Sequence, residues 1–230
     1  MSGSTIKLIA ILLMTIDHVA AYLLCDNPSC NQVLCSFMGW DMTVVTLMRG
    51  VGRMAFPLFG WLLVEGYIHT RNRFKYGRNL FLFALLSEIP FDLAAYGRWH
   101  LAHQNVFFTL WFAYYGLNLF EGFKNDLYNK TVAALVLFVT ILLFRSDYCF
   151  AGFFYVMVLY YMRQYMVMKM LVGCYILPDT LFTLPATVPV MLYNGKRGFI
   201  KGTFFKYCFY IYYPLHLLII WLMKSYEYFL

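Results

Sequence analysis

Residues 6–24 read IKLIAILLMTIDHVAAYLL, an apolar run with three ionisable side chains, Lys7, Asp17 and His18. In an α-helix such a run is about 28 Å long, which is close to the roughly 30 Å thickness of the hydrocarbon core of a bilayer. No small-residue cleavage pattern follows it, so we expect a permanent transmembrane helix and not a removable signal peptide. This segment therefore predicts a membrane protein.

The composition of the whole chain supports the same class. Of 230 residues, 62% are hydrophobic and 13% are charged, whereas soluble domains have about 45–50% and about 25%. Aromatic residues make up 21% of the chain, as in the aromatic belts of bilayer proteins. The net charge of +7 comes from short basic clusters between apolar runs, which indicates cytoplasmic loops and argues against a nucleic-acid partner.

Nine apolar segments follow one another along the chain. We predict spans at residues 6–24, 44–68, 80–96, 106–122, 131–144, 150–162, 166–177, 180–193 and 204–223. With a cytoplasmic N-terminus, thirteen of the 18 Lys and Arg residues lie on the inner side and three on the outer side, as the positive-inside rule requires. One long helix through Pro178 would give eight spans and move the basic segment 194–198 outside. The predicted fold is an all-α polytopic membrane helical bundle of about nine transmembrane helices, one domain over residues 1–230, in the inner or plasma membrane.

Ionisable and amide side chains near or within these spans are the first candidates for function, because charge in hydrocarbon is costly and usually faces a partner or a cavity. The catalytic candidates are His18, Asp17, Arg53, His103, Glu88 and Asp92, and the other polar candidates are Arg49, Glu65, Asn105 and His216. Arg49 and Arg53 lie four residues apart, as do Glu88 and Asp92, so each pair shares a helix face. Their predicted depths allow them to meet in one cavity in the middle to outer part of the bilayer.

Two interpretations of these groups stay open. Carboxylates and arginines, such as Asp17 with Arg53 or Glu88 with Arg49, can be structural ion pairs that join helices. An imidazole beside a carboxylate and near arginines can act as a general base or carry a proton, which favours His18. The alternative for His18 is a hydrogen bond between helices.

Basic residues between the spans form a second group of candidates. Segments 71–78 and 194–198 combine glycine with Lys and Arg, a combination that can hold the phosphates of a nucleotide-bearing acyl donor. The alternative is that these segments orient the protein in the membrane and attract anionic lipid. The candidates for cofactor binding are Arg71, Arg73, Asn194, Lys196 and Arg197.

Three cysteines lie together at positions 25, 30 and 35. Their spacing gives only a weak zinc signal, because no fourth ligand lies nearby, so no metal is expected. On an oxidising face the three could form one disulfide and leave one thiol.

Short motifs occur in order along almost the whole chain. They are KLIA (7–10), MTIDH (14–18), GRMAFPLF (52–59), LVEGY (63–67), HTRNR (69–73), SEIPFDL (87–93), HQNVFFTL (103–110), YNGKRG (193–198) and YYPLH (212–216). In these motifs the chain resembles the TraX family, whose name-giving member acetylates the N-terminus of a conjugative pilin subunit. The resemblance implies acetyl-CoA as a donor bound from the cytosol. It also implies an acceptor amine or hydroxyl on a protein N-terminus, a glycan or a lipid head group.

The resemblance and the polar residues together predict a mechanism. Acetyl-CoA would place its phosphates on Lys196, Arg197 and segment 71–78, with its pantetheine arm between the helices. His18 is the first choice for the base that takes the acceptor proton, and His103 is the second.

The remaining polar groups would support that base. Asp17 would orient it or pair with Arg53, and Arg53, Arg49 or Asn105 would stabilise the oxyanion. Two other functions stay open: a proton-coupled transporter with broken helices near Pro90 and Pro178, and a non-catalytic scaffold for surface-appendage assembly.

Overall fold

Helices account for 74% of the chain in a computed structural model, which describes residues 1–37, 39–200 and 202–227. They are α1 (Gly3–His18), α2 (Val44–Gly52), α3 (Ala55–His69), α4 (Arg73–Tyr96), α5 (Val106–Gly122), α6 (Leu127–Phe144), α7 (Cys149–Tyr161), α8 (Met166–Ile176), α9 (Thr180–Thr183), α10 (Thr187–Met191) and α11 (Thr203–Glu227). A π-helical turn, Val19–Leu23, extends α1, and a 3₁₀ turn, Leu184–Ala186, joins α9 to α10. The prediction of a mainly helical protein is confirmed.

One small sheet departs from the all-α prediction. Strands β1 (Cys35–Phe37) and β2 (Trp40–Met42) pair antiparallel, with Cys35 opposite Met42. The hairpin can close because Gly39 adopts φ +82°, a conformation that glycine takes without steric cost. The hydroxyl of Ser36 also donates to Oδ1 of Asp41 across the strands, at 2.5 Å.

All nine predicted spans contain helix. Among the described residues, five helical segments are long and apolar enough to cross a membrane: Gly3–Leu23, Val44–His69, Arg73–Tyr96, Leu127–Phe144 and Phe204–Tyr226. Shorter apolar helices cover three other predicted spans, at Cys149–Tyr161, Met166–Ile176 and Thr180–Met191, and α5 has 17 residues. The count of nine crossings and the cytoplasmic N-terminus stay predictions.

Several helix boundaries differ from the predicted ones because capping side chains extend the helices. The side chain of Asn72 accepts a hydrogen bond from the backbone N–H of Lys75, at 2.8 Å, so α4 begins at Arg73 and not near Leu80. Most of the predicted loop 71–78 is therefore helical. Asp126 caps α6 in the same way through the N–H of Asn129, at 3.0 Å.

Prolines interrupt the helix in one region, whereas two other prolines lie within continuous helices. The predicted span 180–193 consists of short helical pieces that contain Pro185 and Pro189, as expected for residues that lack a backbone donor. Asp179, with φ +60°, forms the turn before it. Pro90 and Pro214, in contrast, lie inside the continuous helices α4 and α11.

The chain packs as two compact units. Unit 1 contains the described residues of Met1–Phe59, Ile89–Trp99 and Leu181–Leu230, and unit 2 contains Gly60–Glu88 and His100–Thr180. In unit 2, the ring of Tyr155 on α7 is fully buried and lies against Gly60 of α3 and Gly173 of α8, where an added Cβ would come within 2.7 and 2.8 Å. Glycines thus allow three helices of unit 2 to pack closely around one tyrosine.

In unit 1, helices α1 and α11 run in the same direction. Lys7 lies over the ring of Phe209, 4.5 Å from its centroid, and Oγ1 of Thr15 lies 2.8 Å from the hydroxyl of Tyr212. Beyond the end of α1, Asp26 forms an ion pair with Lys224 in the last turn of α11, at 2.9 Å. Because residue numbers rise together along both helices, the two are parallel.

Candidate functional site

Two histidines 198 positions apart meet in unit 1. His18 is the last residue of α1 and His216 lies within α11, and Nδ1 of His18 is 2.7 Å from Nε2 of His216. The rings are nearly parallel, at 8°, with centroids 5.0 Å apart. This separation is about the nitrogen–nitrogen distance plus two imidazole radii, so the rings meet edge to edge through a hydrogen bond.

Aromatic side chains surround this histidine pair. Tyr212 stacks on His216 with centroids 5.2 Å apart, and Tyr213 meets both imidazoles edge-on. The ring of Tyr22 lies 5.6 Å from that of His18. His216 is 6% exposed, and its Nδ1 lies 2.9 Å from the backbone carbonyl of Tyr212. The pair is therefore held in a largely apolar environment.

An ion pair lies next to the histidines along the chain. Nη1 of Arg49 donates to Oδ2 of Asp17, at 3.1 Å. The predicted pairing of Asp17 with Arg53 stays a prediction beside this ion pair. An added Cβ at Gly52 would overlap Cβ of Asp17 and come within 2.7 Å of its Cα, so α2 touches α1 at this point. Arg53, half-buried, caps the C-terminus of α2.

Asn105 holds Glu88 in unit 2. The side-chain amide of Asn105 donates to Oε2 of Glu88 at 2.5 Å and to the carbonyl of Ala84 at 2.9 Å, and its backbone N–H donates to the same carboxylate at 3.3 Å. Its side-chain oxygen caps α5 by accepting from the N–H of Phe107, at 3.0 Å. Both amide hydrogens are engaged, so Asn105 supports Glu88, and its role at an oxyanion stays a prediction.

The other predicted polar residues divide between the units. Asp92 in unit 1 is almost fully buried in α4, at 1% exposure. In unit 2, His103 is half-buried just before α5, and Glu65 lies 3.6 Å from Nδ1 of His69 and close to the buried Lys169. Within unit 1, His18 meets His216 and Asp17 meets Arg49, and within unit 2, Asn105 meets Glu88.

The predicted phosphate-binding segment 194–198 is fixed to the start of α1. Backbone N–H groups of Gly3 and Ser4 donate to the carbonyls of Lys196 and Arg197, both at 2.9 Å. Gly198 adopts φ +92° with no room for a side chain, because Oγ of Ser4 lies 2.7 Å from where a Cβ would be. The side chains of Lys196 and Arg197 are exposed. The backbone is therefore ordered while the cationic groups face outward.

Two further cations lie close to this segment. Lys7 is near enough to Arg197 and Lys206 for their positive charges to repel one another. Nothing in the sequence indicates that Lys7 and Lys206, 199 positions apart, lie together. A group of like charges of this kind can bind a phosphate-bearing ligand.

The second predicted phosphate-binding segment lies in unit 2. The guanidinium of Arg73 lies over the ring of Tyr67, 4.4 Å from its centroid, and the hydroxyl of Tyr114 donates to the carbonyl of Arg73 at 2.8 Å. Arg71 and Arg73 are both exposed. Because Arg73 lies on the first turn of α4, this surface is a helix start and not the glycine loop that the sequence predicted.

Among the described residues, no three His, Cys, Asp or Glu side chains are grouped to hold a metal ion. Cys25, Cys30 and Cys35 are present as free thiols. Burial raises the pKa of the Cys25 thiol, and the neighbouring Asp26 carboxylate raises it further, so this cysteine is less readily ionised.

The apolar helices define a helical membrane protein, and in the part of the chain that the structure describes five of them are long enough to cross a bilayer. The chain belongs to the TraX family: the model of that family, described as TraX protein, matches residues 2–224. It is also similar to the probable fimbrial assembly protein FimC, serogroup H1, of Dichelobacter nodosus, with 29% identity over 250 residues that cover 94% of this chain and 93% of that protein. No solved structure matches the chain. The resemblance found in the sequence motifs is therefore confirmed.

Proposed function

We propose that this protein is a membrane-embedded acetyltransferase that moves an acetyl group from cytosolic acetyl-CoA to an amine or hydroxyl of a membrane or surface acceptor. The acceptor class we favour is the N-terminus of a pilin-like protein, since a similar protein is named for fimbrial assembly. The observation that carries the proposal is the pair of hydrogen-bonded histidines between α1 and α11 in a member of the TraX family.

In the proposed reaction the acceptor nitrogen or oxygen attacks the thioester carbonyl. His18 takes the proton of the acceptor, a new C–N or C–O bond forms, and the C–S bond breaks to release coenzyme A as its thiol after the proton is passed on. Arg49, held by Asp17 at 3.1 Å, and Arg53, one turn further along the chain, supply positive charge for the oxyanion of the tetrahedral intermediate.

The cationic group at the start of α1 is the proposed site for the phosphates of acetyl-CoA. Lys196 and Arg197 are presented by an ordered backbone, and Lys7 and Lys206 add charge beside Arg197. Asn194 fixes this segment, since its side-chain oxygen accepts from the N–H of Lys196 at 3.1 Å. Along α1, Lys7 and His18 are about 16 Å apart, a distance that suits an extended pantetheine arm.

The proposed topology has nine crossings in the cell membrane with a cytoplasmic N-terminus. The parallel direction of α1 and α11 supports an odd number of crossings, because parallel first and last spans enter the membrane from the same side. An eight-span arrangement would make them antiparallel. With nine crossings, the cationic group lies on the cytosolic side, where acetyl-CoA is available.

A non-catalytic role in appendage assembly is the second candidate, and the name of the similar fimbrial protein favours it. In that case Asp17 and Arg49 would join helices, and the two histidines would supply a hydrogen bond between α1 and α11. A transporter is less favoured, because Pro90 does not break α4.

The test uses membranes that contain the full chain, acetyl-CoA labelled in its acetyl group, and a peptide with a free N-terminal amine. Since general bases contribute about 10²- to 10⁴-fold, His18→Ala should lower kcat at least a hundredfold while the protein still folds. His69→Ala, which changes an exposed histidine, should leave kcat unchanged, and Arg197→Gln should mainly raise KM for acetyl-CoA. Absence of label transfer by the wild-type protein, or full activity of His18→Ala, would overturn the proposal.

A further inference from the structure

We infer that His216 is a positioning residue that fixes the tautomer of His18, so that Nε2 of His18 is the atom that accepts the proton. This inference rests on the proposed function in making His18 the base. The inference depends on a chain of hydrogen bonds that connects three groups: the carbonyl of Tyr212, the ring of His216 and the ring of His18.

The direction of the hydrogen bonds follows from the carbonyl group. A carbonyl oxygen can only accept, so Nδ1 of His216 must carry the hydrogen in its 2.9 Å contact with Tyr212. A neutral imidazole has one donor and one acceptor nitrogen, and therefore Nε2 of His216 accepts. Nδ1 of His18, 2.7 Å away, must then be the donor, which leaves Nε2 of His18 with a lone pair.

The neutral state of the pair follows from its surroundings. His216 is 6% exposed and lies among tyrosine rings, and burying an imidazolium there without a carboxylate partner would be costly. A backbone carbonyl at the end of the chain of hydrogen bonds orients the imidazole without adding a buried charge. This arrangement suits a site inside hydrocarbon, where a carboxylate in the same place would itself need a cation.

Tyr212 also keeps His216 in place. Oγ1 of Thr15 donates to the carbonyl of Ile11 at 2.9 Å, so in its 2.8 Å contact with Tyr212 it accepts from the tyrosine hydroxyl. The Tyr212 ring, anchored in this way to α1, stacks on His216 at an angle of 11°. Both ends of Tyr212 thus act on one histidine, the carbonyl through a hydrogen bond and the ring through packing.

During transfer, the acceptor proton passes to Nε2 of His18 and makes that ring an imidazolium. Its Nδ1–H then donates to Nε2 of His216 as a charge-assisted hydrogen bond, which is stronger than the neutral one. His216 therefore stabilises the charge that forms on His18 without touching the substrate. The proton leaves Nε2 again for the departing thiolate, so His18 returns to its starting tautomer.

The test reads the tautomer directly in the full-length protein. The chain has five histidines, so ¹⁵N-labelled imidazole gives few NMR signals, and His18→Gln assigns those of His18. In the wild-type protein we expect Nδ1 of His18 to be protonated and Nε2 to be unprotonated. His216→Leu removes the acceptor and should shift His18 toward the Nε2–H tautomer, whereas His216→Gln offers a side-chain carbonyl oxygen and should keep the wild-type pattern.

Acetyl transfer provides the second measurement. His216→Leu should lower kcat about 10²- to 10⁴-fold, as expected for loss of a correctly protonated base, with KM for acetyl-CoA nearly unchanged, and His216→Gln should restore most of kcat. A wild-type His18 with hydrogen on Nε2, or an unchanged tautomer in His216→Leu, would overturn the inference. If the wild-type protein shows the expected tautomer but transfers no acetyl group, the proposed function is overturned and the tautomer assignment is supported.

Discussion

Gly52 determines how closely α2 approaches α1 beside the histidine pair. A Cβ at this position would overlap Cβ of Asp17 and come within 2.7 Å of its Cα, so the backbone of α1 would have to move. We expect Gly52→Ala to destabilise the protein by about 1–3 kcal/mol, the usual cost of overpacking. Because His18 follows Asp17 in the chain, Gly52→Ala should also lower any activity that depends on His18. Thermal unfolding in detergent measures the change in stability.

Gly122 provides the matched control, since, among the described residues, no atom beyond its own helix backbone and chain neighbours lies within 4 Å of where its Cβ would be. At the end of α5, Gly122→Ala should be neutral or stabilise the protein by up to about 1 kcal/mol, because alanine favours helix more than glycine does. If Gly52→Ala unfolds at the same temperature as the wild-type protein, the close contact between α1 and α2 is wrong.

Single residues show what the sequence could predict and what it could not. His18, Asp17 and Arg49 could be selected because ionisable groups in apolar segments are rare and costly. The ion pair of Arg49 with Asp17 could not be singled out, because Arg49 and Arg53 share a helix face and the sequence does not distinguish them. The pairing of His18 with His216 was likewise beyond reach, because it depends on how two distant helices pack.

At the scale of elements, an ion pair joins the far ends of α1 and α11. A hydrogen bond from Lys224, and then its charge, hold the pKa of Asp26 below its ordinary value. A carboxyl with a lowered folded-state pKa stabilises the protein above its unfolded pKa, near 3.8, and loses that effect as the pH falls through the folded value. We expect Asp26→Asn to lower stability at pH 6 and to have a smaller effect at about pH 2.

The measurement is a double-mutant cycle with Asp26→Asn and Lys224→Gln at both pH values. Because the carboxylate is 64% exposed, the coupling energy at pH 6 should be at most about 1 kcal/mol. It should weaken with added salt and shrink in acid. A coupling that grows as the pH falls would contradict the ion pair.

A helix boundary was predictable only where the apolar run and the helix end at the same residue. Residues 73–78 are too polar to extend an apolar run, yet they are helical because Asn72 caps them and charged residues such as Lys and Arg form helix well. The break near Asp179 was predicted, since Pro178 and Asp179 favour a turn and one long helix would move the basic segment 194–198 outside. Hydrophobicity alone does not reveal that α4 continues through Pro90.

At the scale of the whole molecule, the class and the family followed from the sequence. A bilayer admits only structures whose backbone groups are satisfied internally, so long apolar runs predict helices with little ambiguity. The division into two compact units was not predicted, because each unit draws residues from separate parts of the chain. The single cavity expected for the ionisable groups stays a prediction.

The parallel direction of α1 and α11 makes a prediction for the whole chain, since it requires their far ends to emerge on the same side of the membrane. In a background with all six cysteines replaced by serine, Ser29→Cys follows α1 and Tyr226→Cys lies at the end of α11, and both side chains are exposed. A membrane-impermeant maleimide added to intact cells should label both.

Lys124→Cys, in the turn between α5 and α6, should react only after the membrane is opened, because nine crossings put it in the cytosol. Solubilised protein, in which all three positions should react, controls for accessibility. Labelling of Ser29→Cys without Tyr226→Cys would contradict the parallel arrangement, whereas protection of both with labelling of Lys124→Cys would reverse only the orientation.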